Sequence, residues 1–245
     1  MKDFPLDFRN NWTDSEVEAH WDSVSSVYIA ENDKVKGTHD QRFLESIQHL
    51  KLEDGHRVIN ISSRDCEAND YILKANGKVK VINSEISSGL MKEAKKHRPY
   101  VEQVKISSYS NLPFEDASFD SVLTLETLEH VEQPLQFLLE LYRVARPGAR
   151  MVLSCPPATS EIPYQVFSFL FGGHGEGPHK FPSSRKVKKW LGQTGWELIE
   201  HKGTLLVPVG PRFLRNFGEK IIARTQNTII SELGIRQFFV CEKDQ

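Results

Sequence analysis

LPFEDASFDSVLTLETLEHVEQPLQFLLELYRVARPGARMVLS, residues 112–154, carries the pattern on which the fold turns. Within it FDSVLTL (119–125) is an apolar-rich run of strand length bounded by polar turn residues. Pro134 can open a helix, because the N–H it lacks would have no partner in the first turn, and Leu138, Leu141, Tyr142 and Ala145 then recur at helical spacing up to a stop at Pro147-Gly148. RMVLS (150–154) reads as the next strand. Strand, helix and strand in close succession form a parallel crossover unit.

The same alternation extends outward in both directions. On the N-terminal side, Phe43, Leu44, Ile47 and Leu50 share a helical spacing, LEDGHR breaks that helix, and RVINI (57–61), KVKVIN (78–83) and VEQVKIS (101–107) follow as strands. On the C-terminal side Ser183 or Ser184 can cap a helix that buries Val187, Trp190 and Leu191 and stops at Gly195. WELIEHKGTLLV then supplies a strand, Leu214, Phe217, Ile221 and Ile222 a helical stripe, and RQFFVCE (236–242) a final strand. The expected fold is α/β: a doubly wound, seven-stranded, mostly parallel sheet with helices on both faces, whose ligands lie beyond the carboxyl ends of the strands. The expected organisation is one domain over 1–245: an N-terminal lid segment at 1–38, a core at 39–158, an inserted lid at 159–182, and the completion of the sheet at 183–245.

Composition narrows the function classes. With 31 basic and 33 acidic side chains the net charge is −2, so no nucleic-acid partner is expected. Three scattered cysteines without a CxxC pair argue against a disulfide framework and a zinc ribbon, and fit a reducing, cytoplasmic setting. No apolar run approaches the ~18 residues of a membrane span. RKVKK (185–189) reads as the wet side of an amphipathic helix.

VINISSRDC (58–66), VINSEISSGLM (81–91), the 110–131 segment and LYRVARPGARMVLS (141–154) together resemble the class I S-adenosylmethionine-dependent methyltransferases over roughly residues 40–158, with the quinone-biosynthesis subfamily the nearest in flavour. LPFEDASFD and the RPG turn are the most specific pieces. The resemblance implies a Rossmann-like methyltransferase fold, S-adenosylmethionine as cofactor, and methyl transfer to oxygen or carbon of a small acceptor. It also implies roles for particular residues. Glu85, at the end of the second strand, corresponds to the acid that holds the ribose hydroxyls; a helix cap is the other reading. Ile86 matches the apolar residue packed on adenine, and Ser108 and Tyr109 the adenine loop, with the Tyr109 backbone N–H as the contact. Where the family has an acid and three glycines, this chain has Asn60, Ser62, Arg64 and Cys66. Arg64 can meet the cofactor carboxylate with a forked pair that glycine cannot offer, or it is a solvated arginine.

Glu126, Glu129 and His130 stand at i, i+3 and i+4, on one side if the chain turns helical after the fourth strand. The resemblance implies that Glu126 or Leu125 lies against the methionine moiety, or that the E-x-x-E-H run helps hold a divalent ion; otherwise the run is an ordinary helix start, and the sequence leaves the metal open. GGHGEGPH sets four glycines around His174 and Glu176, which suggests a lid that closes over a ligand, or an exposed loop. His130 and His174 are the candidate bases, since imidazole titrates near the working pH. Phe167, Phe169, Leu170 and Phe171 suggest an acceptor with a hydrophobic portion, or plain core. The other function class is a non-catalytic binding or regulatory protein on this fold that has lost the cofactor through its first loop. The sequence names neither the acceptor nor the oligomeric state.

Overall fold

The structure, a computed structural model, describes residues 12–34, 36–165, 177–207, 211–226 and 228–245. Seven strands form one sheet in the order β3-β2-β1-β4-β5-β7-β6: β1 (Arg57–Ile61), β2 (Lys80–Glu85), β3 (Gln103–Lys105), β4 (Phe119–Leu125), β5 (Ala145–Cys155), β6 (Trp196–Thr204) and β7 (Arg236–Lys243). β1 to β5 pair in parallel, and β7 runs antiparallel between β5 and β6. The expected fold class holds, strand count included. The helices are α1 (Asp14–Lys34), α2 (Lys36–Ile47), α3 (Glu67–Ala75), α4 (Ser88–His97), α5 (Pro134–Val144), α6 (Ser184–Gln193) and α7 (Arg212–Arg224).

The two central strands are apolar on both faces because helices cover both. Ile59, Ile61, Val122 and Met151 pack with Phe137, Leu138 and Leu141 of α5 and with Val17 and Trp21 of α1; Val58, Leu123 and Val152 pack with Phe43 and Ile47 of α2 and with Ile72 of α3. Each such side chain taken fully from water contributes roughly 1.5–3 kcal/mol. The parallel register, Ile59 opposite Ile82 and Val122, aligns the carboxyl ends of β1, β2 and β4 at one edge of the sheet. The loops that bear the chemistry start from that edge.

Two boundaries differ from the sequence reading. α5 ends at Val144, and Ala145 already pairs with Phe119, so the RPG turn lies inside β5 at an irregularity in its pairing with β4. The reason is local: the Ala117 and Ser118 N–H groups take the Arg143 and Val144 carbonyls, the Lys243 ammonium takes those of Tyr142 and Ala145, and Arg146 forks onto Asp120. The α7 stripe also divides. Ile222 is buried, while Leu214 and Phe217 face solvent. By contrast, Ser183 does cap α6 by accepting the Lys186 N–H, and Gly195 follows at φ +88°, where a Cβ would press within 3.0 Å of the Tyr142 ring.

Candidate functional site

The loop after β1 settles what became of the missing glycines. Ser62, Arg64 and Cys66 all adopt left-handed backbone, at φ 54°, 53° and 61°. An L residue there costs roughly 1–2 kcal/mol, which glycine avoids. The chain keeps the alternating left-handed conformation without the glycines because hydrogen bonds impose it. The Ser63 N–H donates to the Ser84 carbonyl, the Arg64 N–H to Glu85 Oε2 at 2.8 Å, and the Cys66 N–H to the Ser63 carbonyl, while Arg98 grips the carbonyl and carboxylate of Asp65. Burial pushes the Cys66 thiol up to about 12, so no reactive thiolate resides here.

Glu85 stands at the tip of β2 with its carboxylate wholly buried. Its Oε1 accepts the N–H groups of Ile86 and Ser87 at 3.0 and 2.9 Å. It is not the cap of α4. Ser87 fills that role on the Leu90 N–H, and Asp22 of α1 accepts from both the Ser87 hydroxyl and the Gly89 N–H. The Arg64 guanidinium lies 3.8 Å from Glu85 and 3.7 Å above the Trp21 ring, which makes it a sandwiched cation rather than a solvated one.

α1 lies against the loops after β1, β2, β3 and β4. At the loop after β3, Asp14 Oδ2 accepts the Ser108 hydroxyl at 2.6 Å and the Tyr109 N–H at 3.0 Å. Just before the helix, the Trp12 indole N–H donates to the His130 carbonyl. The Tyr109 ring is buried against Phe137, its hydroxyl accepting from Ser62, and Ile86 is fully buried beside them. Asn60 does not face the site: its amide donates to Asn83, which donates to Asn69, a buried chain that ties β1 to β2 and α3.

After β4 the chain turns without forming a helix, and Glu126 sits at φ 52°. Its Oε1 accepts from Ser154 at 2.7 Å and from Arg236 at 3.2 Å, so a cation of the chain itself faces it. Glu129 and His130 lie 3.9 Å apart on the next turn. Among the described residues these three do not converge as an ion site. His39, Asp40 and Glu67 do lie close together, with the Lys36 ammonium at 3.2 and 3.1 Å from the two acids.

His130 is buried, edge-on to Trp21, and its Nδ1–H donates to the Pro178 carbonyl at 3.0 Å, leaving the lone pair on Nε2. Burial first, and then the positive charge of Arg64, push its pKa well below the ordinary value. The Lys180 N–H binds the Glu129 carbonyl, so residues 178–180 cross the β4 loop and set His179 with its ring centre 6.4 Å from that of His130. His179 bonds Glu161 at 3.1 Å and the Gly177 carbonyl at 2.8 Å. Burial raises the Glu161 carboxyl, but bonds from His179 and the Phe181 N–H outweigh it and hold it below its usual range. His174 and the Phe167–Phe171 segment lie outside the described residues. The sequence reading missed Asp14, Trp21 and the Glu161–His179 pair.

A 3-2-1-4-5-7-6 sheet with one reversed strand, an acid at the tip of β2 and a left-handed loop after β1 define a methyltransferase-type nucleotide-binding fold. Comparison with known proteins agrees. The methyltransferase domain family matches residues 67–153. Demethylmenaquinone methyltransferase of Paenarthrobacter aurescens is 22% identical over 209 residues, 76% of this chain and 81% of that protein. A ubiquinone/menaquinone biosynthesis C-methyltransferase of Desulfotalea psychrophila is 26% identical over 163 residues, 64% and 65% of the two chains. A putative methyltransferase of Haloferax volcanii, solved with its Trm112 activator, superposes with a TM-score of 0.71 at 15% identity, over 94% of this chain and 98% of that one. The core of the chain is thus similar to class I methyltransferases, with quinone-biosynthesis enzymes among its relatives, and S-adenosylmethionine is the cofactor of the proteins it resembles.

The residues fit that cofactor in kind: a buried carboxylate for two ribose hydroxyls, a backbone N–H at the adenine loop, and a loop of the required backbone form. In the described conformation the chain itself uses these groups. Asp14 holds the Tyr109 N–H, and Arg64 with Trp21 lies against Glu85. In this conformation α1 lies over them.

Proposed function

We propose that this protein methylates a small, partly hydrophobic acceptor at carbon or oxygen, after α1 withdraws from the loops it covers. The observation that carries the reading is the left-handed backbone at Ser62, Arg64 and Cys66 beside the Glu85 carboxylate. The loop keeps that strained form, held by hydrogen bonds, at positions where no glycine relieves it. The relatives named for demethylmenaquinone and for C-methylation favour a ring carbon of a quinol-like acceptor. The cofactor supplies a methyl group already activated by its sulfonium.

The residues of the chain then bind, orient and take up a proton. Glu85 holds the ribose hydroxyls, the Tyr109 N–H and Ile86 the adenine, and Arg64 turns from Trp21 onto the carboxylate, with Ser62, Ser108 and Glu126 lining the same edge. Burial is the main cause that depresses His130 and the Arg64 charge the next, so moving Arg64 onto an anion removes that second cause and makes Nε2 a better base. His174, with the segment that carries it, is the second candidate base. The test is transfer of labelled methyl from S-adenosylmethionine to a panel of demethylated quinols and catechols, with and without chelator, on wild type and His130→Ala. Transfer that survives chelation and is lost in the variant is expected. Absence of transfer and of S-adenosylhomocysteine binding together would instead support the non-catalytic alternative.

A further inference from the structure

We propose that α7 docks the protein on an anionic lipid surface. Phe213, Phe217, Lys220 and Arg224 stand at i, i+4, i+7 and i+11, so the four lie along one stripe of the helix. All four are exposed, Phe213 by 69% and Phe217 by 61%. The opposite side faces the protein through buried Gly218 and Ile222. The one acid of the helix, Glu219, turns inward, where it accepts the Leu205 N–H at 2.7 Å and the Gln41 amide at 3.1 Å. The outward stripe therefore has two aromatic rings, two cations and no anion. Ile229 and Leu233, exposed by 81% and 54%, follow within nine residues of the helix end.

Charge decides among occupants. The chain as a whole carries −2, so a cationic stripe is a local feature and not the sign of a generally basic protein. A second copy packed through the same stripe would bring four cations and no anion into one interface, at a cost in repulsion. An interface of anionic lipid accepts both components: the rings enter the acyl boundary while the long basic side chains reach up to phosphate. Among the described residues no helix is long and apolar enough to cross a membrane, so the association lies in the plane of the surface.

Flotation of the full chain with vesicles tests this. Vesicles of phosphatidylglycerol and phosphatidylcholine should carry the protein at low salt, and pure phosphatidylcholine should not. K220Q/R224Q should weaken partitioning about thirtyfold, at the usual contribution of each basic residue near an anionic leaflet. F213S/F217S should abolish flotation while the far-ultraviolet spectrum and S-adenosylhomocysteine binding stay at wild-type levels. Failure of the wild type to float with either vesicle, or equal flotation with both, would overturn the proposal. So would a concentration-dependent mass in solution that only the phenylalanine variants collapse, since that assigns the stripe to a protein partner.

Discussion

Replacing Asp14 with alanine should tighten cofactor binding, although Asp14 is no part of the expected cofactor contacts. In the closed arrangement its Oδ2 accepts both the Ser108 hydroxyl, at 2.6 Å, and the Tyr109 N–H, at 3.0 Å. The residue is 8% exposed, so solvent does little to screen these bonds. Hydrogen bonds to a charged acceptor contribute about 1.5–3 kcal/mol. If α1 must leave before the Tyr109 N–H can meet adenine, the apparent affinity is the intrinsic one multiplied by the small fraction of open protein. Removing even the lower of those energies then lowers the Kd for S-adenosylhomocysteine by about tenfold, up to the point at which the open form predominates. Calorimetric titration of wild type, Asp14→Ala and Asp14→Asn gives the number, the amide variant falling between because it still offers one carbonyl acceptor. The ligand-free Asp14→Ala protein should also melt about 3–6 °C lower, given the loss of the same interactions. An unchanged or larger Kd refutes a latch at this position.

Glu85→Gln should lower stability in the absence of any ligand, by about 1.5–3 kcal/mol, since an amide nitrogen would then face backbone donors that three carboxylate bonds now satisfy; a denaturation midpoint equal to wild type would contradict this. Arg64→Gly should relax the left-handed strain yet weaken S-adenosylhomocysteine binding about tenfold or more, with Arg64→Lys recovering part, whereas tighter binding by the glycine variant would mark Arg64 as a plug. Acid should destabilise the fold early: burial pushes His201 down to about 4 and His39 down to about 2, so the unfolded chain takes up protons below the ordinary value of 6.5 that the folded chain refuses. Stability is full above pH 6.5 and falls as pH drops, by roughly 3 kcal/mol for His201 between 6.5 and 4; urea titrations at pH 7.5, 6 and 5 check the slope, and His201→Gln should flatten it.

The sheet was legible because each strand sits between turn residues and carries apolar side chains toward helices with matching periodicity. FDSVLTL and RQFFVCE read almost to the residue. α7 misled because periodicity records which side chains share a face and not whether anything covers it: Phe217 lies outward, on the opposite side from Ile222. At the site, Glu85 was legible from its place at a strand end. Asp14 was not, since its partner lies 95 residues away and nothing in the first helix marks which residue reaches the adenine loop. The first loop was half legible. Missing glycines suggested a lost conformation, but φ is set by the hydrogen bonds around Ser63, Arg64 and Cys66 as well as by side-chain preference, and those bonds hold the left-handed form.

Hydrogen exchange with and without saturating S-adenosylhomocysteine tests most directly that this is a working cofactor site closed by α1. The amides of α1 should lose protection as the ligand binds, while those at 62–66, 85–87 and 108–110 gain it. Identical exchange in all four segments, on wild type and on Asp14→Ala alike, would mean that the closed arrangement is final and that the chain does not use the cofactor of the proteins it resembles.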